Sequence, residues 1–320
     1  MRVVITGGTG LVGSELARHL ARDGHEVILL SRDPKRASGT VSRGENVRLV
    51  AWDAVSARGW AEYADGSEAI VNLAGANLAG EGFLPGRWTD ARKRLFLESR
   101  TKAGLAVLEA IRQVVRRPKV LVQASAAGYY GRTGASEVAE DHPPGDDFQA
   151  EVCAAWEAST AEAESLGVRR AVVRTGLVMS TQGGTLPRLL LPFRMFLGGR
   201  FGNGEQWWPW IHIEDHVRAI RFLIEEQQAS GPFNLCAPHP VTNRQFARIL
   251  GGVLRRPDAF PVPGWALRLA FGEVSGMLLE GWRLAPSRLQ EHGFRFLYPE
   301  LEDALRSMLG SVSPSSSTLS

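Results

Sequence analysis

Glycines 7, 10 and 13 stand in the run Thr6-Gly7-Gly8-Thr9-Gly10-Leu11-Val12-Gly13, a spacing suited to holding phosphate. Glycines so placed meet three separate needs: a tight strand-to-helix turn, close approach of backbone to a pyrophosphate, and close packing of the helix on its sheet. The helix beginning there offers free N–H groups and the positive end of its dipole to an anion. Glycine triplets also occur in plain turns, so context decides. Here an apolar run over 2–6 precedes, an amphipathic run over 14–21 follows, and Asp23-Gly24-His25 stops it before a second apolar segment. In that setting Gly7, Thr9, Gly10, Leu11, Val12 and Gly13 read as a dinucleotide-binding turn.

The second apolar segment ends in Leu29-Leu30-Ser31-Arg32-Asp33-Pro34-Lys35-Arg36. An acidic residue at this point accepts from the ribose 2′-hydroxyl of NAD, whereas arginine suits the 2′-phosphate of NADP. Arg32 can bind phosphate in fork geometry, with Ser31 donating and Lys35 or Arg36 adding charge. One charge-assisted hydrogen bond of about 1.5–3 kcal/mol favours NADP(H) by about tenfold or more. Asp33 keeps NAD open as the alternative, and a solvated basic loop would carry the same residues.

These groups need a scaffold. Apolar runs at 3–6, 26–31, 47–52, 69–73, 120–125 and 170–174 are mostly continuous Val, Ile, Leu and Ala, as in strands buried on both faces. Helical periods at 12–23, 89–115 and 148–165 separate most of them, and such alternation with right-handed crossovers gives an α/β fold with a doubly wound parallel sheet. After about Gly176 the chain changes character: Pro and Gly become frequent, Trp207-Trp208-Pro209-Trp210-Ile211-His212-Ile213 appears, and helical segments follow at 215–226, 243–254 and 301–308. This part reads as a smaller C-terminal α+β cap. In doubly wound proteins ligands bind outside the carboxyl ends of the strands, where a cap would close over a substrate. The organisation expected is a nucleotide-binding domain over 1–176, with parts of 207–240 returning to it, and a substrate, cap and C-terminal domain over 177–309. The Ser-rich end at 310–320 is too poor in apolar groups to repay ordering and reads as a disordered tail.

With 320 residues, 44% hydrophobic and 22% charged, the composition is that of a globular chain. A net charge of +3 is too small to argue for nucleic acid and is compatible with a small anionic ligand. Cys153 and Cys236 are far apart and make neither a disulfide framework nor a metal-ligand spacing, so a reducing compartment and no metal are expected. The first residues lack the features of a signal peptide, and no apolar run approaches the ~20 residues of a membrane span. The reading is a cytoplasmic monomer or homodimer with a small-molecule substrate and neither a nucleic-acid nor a membrane partner.

Several further motifs stand in order: Asn72-Leu-Ala-Gly75, Arg87-Trp88 with Ser99-Arg100, Gly128-Tyr-Tyr-Gly131, Cys153-Ala-Ala-Trp-Glu157, Val173-Arg-Thr-Gly176, Trp210-Ile-His-Ile-Glu-Asp215, Leu279-Glu-Gly281 and Gly293-Phe-Arg-Phe296. With the glycine turn, they make nearly all of 1–309 resemble the extended short-chain dehydrogenase/reductases. The resemblance is closer still to their atypical subfamily, which is NAD-dependent epimerase/dehydratase-like, has unknown substrates and carries an additional C-terminal domain. The resemblance implies a Rossmann-type sheet. It also implies that Asn72, Leu73 and Ala74 line the adenine-ribose side of the cofactor, that Arg100 reaches it from the following helix, and that Val178 borders the nicotinamide. Gly75 and Ala74 would let a cofactor lie close to backbone; a buried strand end is the plainer reading of the same four residues.

The superfamily's usual Tyr-x-x-x-Lys pair is missing. Cys153 and Glu157 occupy the matching i, i+4 places, and a carboxylate beside a thiol disfavours thiolate, so the pair is a poor copy of tyrosine and lysine. A helix face packing Cys153 and Trp156 is the competing reading. Ser125 lies next to the usual position of the catalytic hydroxyl, and Tyr129 and Tyr130 follow. Tyr129, Ser125 and Glu157 are the acid–base candidates, expected to converge on a substrate carbonyl, while Tyr130 reads as structural. His212 is weighed as a titrating group against a structural histidine, Trp207, Trp208 and Trp210 as a substrate wall against cap core, and 137–145 as a mobile lid-like loop. Two functions follow: an NADP(H)-dependent oxidoreductase or epimerase acting at a small carbonyl or alcohol, or a catalytically degenerate NADP(H)-binding sensor or regulatory protein.

Overall fold

Seven strands make the central sheet: β1 (Arg2–Thr6), β2 (Glu26–Ser31), β3 (Val47–Ala51), β4 (Ala69–Asn72), β5 (Val120–Ala126), β6 (Arg169–Thr175) and β7 (Gly231–Leu235). They are seen in a computed structural model that describes residues 1–37, 46–78 and 86–310. All pairings are parallel, in the order β7-β6-β5-β4-β1-β2-β3. Strand order therefore reverses between β1 and β4, which opens a crevice at their carboxyl ends, the place where ligands bind in such sheets. Six strands lie where the apolar runs predict them. The seventh lies outside those runs, because Gly231-Pro232-Phe233-Asn234-Leu235 is short and has glycine and proline as its first two residues; at the sheet edge the missing N–H is tolerated.

Helices cover both faces. Along the strands Val3, Ile5, Val27, Leu29, Val71, Val122, Val173 and Phe233 turn toward α1 (Leu11–Arg22) and the helix Ile213–Glu225. The alternate residues Val4, Ile28, Leu30, Ile70 and Leu121 meet the long helix α2 (Asp90–Gln113). Side chains of a strand alternate between faces, so two separate cores form from one set of runs. Thr89 caps α2 by accepting from Arg92 N, and Asp147 caps α3 (Phe148–Ala158) by accepting from Ala150 N, which fixes where both helices start. The expected helix over 148–165 ends at 158 and gives way to a 3-10 turn at Ala161–Ala163.

The smaller C-terminal part is mixed α+β. The helices α4 (Leu186–Arg194), α6 (Asn243–Leu254) and α7 (Leu301–Leu309) pack around Trp208, Trp210, Phe193 and Phe246; between α4 and α6 the chain runs back to the sheet as α5 (Ile213–Glu225) and β7. Trp208 and Trp210 are thus core residues, while Trp207 is half-buried with the Arg283 guanidinium 5.1 Å over its ring. Three short strand pairs lie outside the central sheet: Leu177–Met179 with Trp210–His212 and Trp207–Trp208 with Val241–Thr242, both after residue 176, and Glu137–Val138 with Arg283–Leu284, which ties the two parts together. No helix among the described residues is long and apolar enough to cross a membrane. The tail expected beyond Gly310 lies outside the described residues.

Candidate functional site

The glycine turn joins β1 to α1. Gly7 has φ +65°, and a Cβ there would lie 2.8 Å from the carbonyl carbon of Leu73; at Gly13 a Cβ would lie 2.5 Å from the Gly7 oxygen. Neither position admits a side chain, so the turn stays folded against both the end of β4 and the start of α1. Gly10 is the exposed N-cap of α1 and makes no side-chain cap, which leaves the first N–H groups of α1 for an outside acceptor. Thr9, Leu11 and Val12 are half-buried around that opening.

At the tip of β2, Ser31 is buried and its Oγ accepts from Asp33 N at 3.2 Å, so Ser31 shapes the turn. Arg32 is exposed there. The Arg36 side chain lies outside the described residues.

A buried polar ladder holds the crossover between β1 and β4. Thr6 Oγ1 donates to Asn72 Oδ1 at 2.6 Å, Asn72 Nδ2 donates to Gln123 Oε1 at 2.8 Å, and Leu73 N and Ala74 N both donate to Thr6 Oγ1. Asn72 is 0% exposed and spends its amide on this ladder, so it positions Leu73, Ala74 and Gly75 instead of lining the crevice itself. Ser99 Oγ on α2 accepts from Ala76 N at 3.0 Å and pins the loop. Arg100 lies beneath Gly75, 4.8 Å over the Trp156 ring and close to Cys153, below the loop that leaves β4. Val178 is half-buried in the segment that follows β6, and a Cβ at Gly183 or Gly184 just beyond it would meet the Leu11 side chain at 3.6 or 3.1 Å, so this segment lies near the start of α1.

Expected to converge freely on a substrate, Ser125, Tyr129 and Glu157 are instead organised by an arginine. Ser125 on β5 stands in register with Arg174 on β6. Ser125 Oγ donates to Glu157 Oε1 at 2.6 Å; Arg174 Nε and Nη2 donate to Oε1 and Oε2 of the same carboxylate at 2.9 and 3.0 Å. Arg174 Nη1 also donates to Tyr130 Oη and to the Glu140 carbonyl, and Tyr130 Oη donates to Asn234 Oδ1 at 2.6 Å. Burial pushes the Tyr130 phenol far up, in keeping with a structural role. Glu157 therefore belongs to a closed, bidentate ion pair. Tyr129 is half-buried, presents its ring face to the Arg174 guanidinium at 3.5 Å, and its hydroxyl has no partner among the described residues. Cys153 is buried, and desolvation, with Arg100 opposing, holds its thiol up at about 11. The signal for Arg174 was a charge inside the apolar run Val172-Val173-Arg174; Glu140 and Asn234 carried none.

An open cleft of about 400 Å³ lies next to this network, between Trp88, Phe148 and Gln149 of the sheet domain and Arg268, Ser275 and Leu279 of the C-terminal part. A Cβ at Gly128, next to Tyr129, would lie 3.1 Å from Gln149 Cβ, so Gln149 stands close to that turn. A second cavity, about 50 Å³ and enclosed by α4 and α6, is too small for a substrate. The segment 137–145 is not a mobile lid: Val138 is buried in a strand pair, the buried Glu140 carboxylate accepts from Asn234 N and Arg288 N, and Gly145 N donates to Tyr129 O. Its acidic composition reflects an internal acceptor as much as a wet surface. His212 and His216 share an i, i+4 spacing, yet His212 Nδ1 caps α5 by accepting from Glu214 N and His216 Nε2 meets Thr175 Oγ1 at 3.0 Å. Among the described residues no group of His, Cys, Asp and Glu is placed to hold a metal.

Residues 3–236 match the NAD dependent epimerase/dehydratase family, and residues 262–308 match a domain of unknown function, DUF1731. The chain belongs to the epimerase/dehydratase family. An epimerase family protein of Bacillus subtilis is 36% identical over 310 residues, 97% of this chain and 98% of its own. An Arabidopsis thaliana protein described as a chloroplastic SDR39U1 homolog is 35% identical, over 97% of this chain and 87% of its own. The human epimerase family protein SDR39U1, whose structure was determined with NADPH, superposes with a TM-score of 0.86 at 33% identity, covering 98% of this chain and 100% of that one. Within this family likeness the crevice at β1, β2 and β4 is where the glycine turn stands, and the Ser125–Glu157–Arg174 network flanks it at β5 and β6.

Proposed function

We propose that this chain binds NADP(H) in the crevice at the carboxyl ends of β1, β2 and β4 and acts as an oxidoreductase or epimerase-like enzyme on a small carbonyl or alcohol substrate. The observation that carries the reading is the exposed Arg32 at the tip of β2, beside a glycine turn whose helix N-terminus is left uncapped. The residues fit the cofactor: no side chain fills the space at Gly10, donors face outward there, and a guanidinium stands where a 2′-phosphate needs a fork. That the human relative was crystallised with NADPH supports the same choice. When bound, NADPH supplies hydride at its nicotinamide. The first turn of α1 holds the pyrophosphate, Arg32 the 2′-phosphate, and Leu73 to Gly75 keep backbone close to the sugar. Tyr129, whose hydroxyl has no partner among the described residues, gives or takes the proton at the substrate oxygen. The proposed setting is cytoplasmic, where the buried Cys153 and Cys236 remain thiols.

Calorimetric titration with NADPH and NADH at fixed salt tests this. Arg32→Ala is expected to weaken NADPH by about tenfold or more and NADH little; equal weakening of both overturns the 2′-phosphate role. One observation favours a regulatory, non-turnover reading. Ser125 and Glu157 satisfy each other and Arg174, leaving Tyr129 alone as acid or base. Unchanged NADPH oxidation by Tyr129→Phe, across a panel of small aldehydes and ketones, removes Tyr129 from the mechanism. Binding of NADPH with no oxidation by any of them supports the regulatory reading.

A further inference from the structure

Two helix ends in the C-terminal part hold residues other than glycine in left-handed backbone. Helix α4 closes in a Schellman turn: Phe196 N donates to Phe193 O at 3.0 Å, Leu197 N donates to Pro192 O at 2.8 Å, and Phe196 takes the left-handed place at φ +62°. Helix α6 ends with Arg255 at φ +55°. Glycine holds such a place freely, whereas a residue with a Cβ is strained there. Burial does not offset the strain at Phe196, whose side chain is 53% exposed with the Arg256 guanidinium 4.3 Å over the ring. Met195, Leu197 and Phe260 are also more than half exposed, and Phe260 N donates to Gly198 O, which joins the two segments. The second segment runs on into the helix Gly264–Phe271, where Trp265 and Leu269, one turn apart, are 69% and 70% exposed.

The charge on this face is one-sided. Segments 186–200 and 251–271 hold six arginines and a single acidic residue, Asp258, in a chain whose net charge is only +3. Arg194, Arg255, Arg256 and Arg268 are exposed and have no carboxylate partner among the described residues. Surface arginines elsewhere do have one: Arg112 meets Glu162, Arg116 meets Asp65 and Arg306 meets Glu302. Exposed rings and aliphatic chains set among unpaired cations match a bilayer with anionic headgroups, where the apolar groups enter the acyl boundary and the guanidiniums meet phosphate. Nucleic acid has no use for Met195, Leu197 and Leu269, and a peptide helix needs a groove, which helix ends and turns do not form. We propose that this face docks the chain on an anionic lipid bilayer as a peripheral protein, with Phe196 and Trp265 as the inserting side chains. The amino-acid sequence argued against a membrane partner because no apolar run approaches the length of a span. A docking face needs no span, and this one is assembled only when 186–200 and 251–271 fold together.

The test is flotation of the full chain with vesicles of phosphatidylcholine alone and of equimolar phosphatidylcholine and phosphatidylglycerol, for wild type, Phe196→Gly, Trp265→Ser and Arg255→Gly. Wild type is expected to float with the anionic vesicles and not with the neutral ones, and to be released as salt is raised. Loss of one surface cation in Arg255→Gly weakens binding about fivefold, and loss of an inserting ring in Phe196→Gly or Trp265→Ser weakens it about tenfold or more. Glycine suits the left-handed backbone, so Phe196→Gly and Arg255→Gly are expected to melt at or above the wild-type temperature, and weaker lipid binding in them is not loss of fold. The proposal is overturned if wild type stays in the soluble fraction, whether free, dimeric through Phe196 or bound to added single-stranded DNA. It is equally overturned if neutral vesicles bind the chain as well as anionic ones, or if Phe196→Gly floats like wild type, which would leave charge alone at work.

Discussion

Replacing Arg174 by methionine removes a guanidinium and keeps most of the aliphatic stem. The arginine and Glu157 side chains are 5% and 13% exposed, and two of the guanidinium nitrogens grip both carboxylate oxygens at 2.9 and 3.0 Å. Without it, Glu157 keeps a single donor, Ser125, and the Tyr130 oxygen and Glu140 carbonyl each lose one. Stranding one partner of a buried pair costs about 3–5 kcal/mol. For a chain of this size the unfolding entropy is about 0.7 kcal/mol/K, so the melting temperature is expected to fall by about 4–7 °C. Scanning calorimetry and urea denaturation give the value. The double variant Arg174→Met with Glu157→Leu removes both charges together and leaves chiefly the Ser125 hydroxyl unsatisfied, about 1 kcal/mol, so it is expected to be more stable than Arg174→Met alone. A single-variant cost below about 1 kcal/mol, or a double variant as unstable as the two singles summed, would refute the reading of this network as a mutually dependent buried pair.

Desolvation holds the fully buried His216 down at about 3, below the 6.5 of an ordinary histidine. The unfolded chain binds that proton first, so stability is intact above about pH 6.5 and is lost as pH falls toward 3, by up to about 1.4 kcal/mol per pH unit. His216→Leu should flatten the dependence of the urea midpoint between pH 7 and 4, and an unchanged slope would remove His216 as its source. Burial raises both cysteine thiols, Cys153 to about 11, so at pH 8 a thiol reagent is expected to modify the native protein only as fast as it opens; rapid labelling of folded protein would contradict this. Gly13→Ala forces a Cβ to within 2.5 Å of the Gly7 oxygen and 2.6 Å of Gly8 Cα, and should cost roughly 1–3 kcal/mol and weaken NADPH binding together. A fully stable Gly13→Ala chain in a thermal melt would show that the turn can shift at no cost.

What could be read before folding was local. Continuous Val, Ile and Leu runs mark six of the seven strands because a strand buried on both faces has no polar side to show, and the glycine turn is visible because its backbone demands are met by one residue type at fixed spacing. Arg32 is legible for the same reason: it lies one residue past the end of β2. Strand β7 escaped because its five residues resemble a loop and become a strand only against β6.

The arrangement around Ser125 could not be read that way. Glu157, Arg174, Tyr130 and Asn234 come from four elements, with Arg174 separated by 17 residues from Glu157 and by 44 from Tyr130, and Tyr130 by 104 from Asn234. No local pattern encodes which carboxylate a strand arginine will meet. Asn72 was read as a crevice residue and is an internal one, since only the register of β1, β4 and β5 shows that Thr6 and Gln123 already occupy its amide. Arg100 is the sharpest case. Sequence alone determined that a cation stands on the helix after β4, because residue type and helical period are local. Only the tertiary structure decided that it is buried, with no counter-charge among the described residues, because burial and partners are set by everything packed around it.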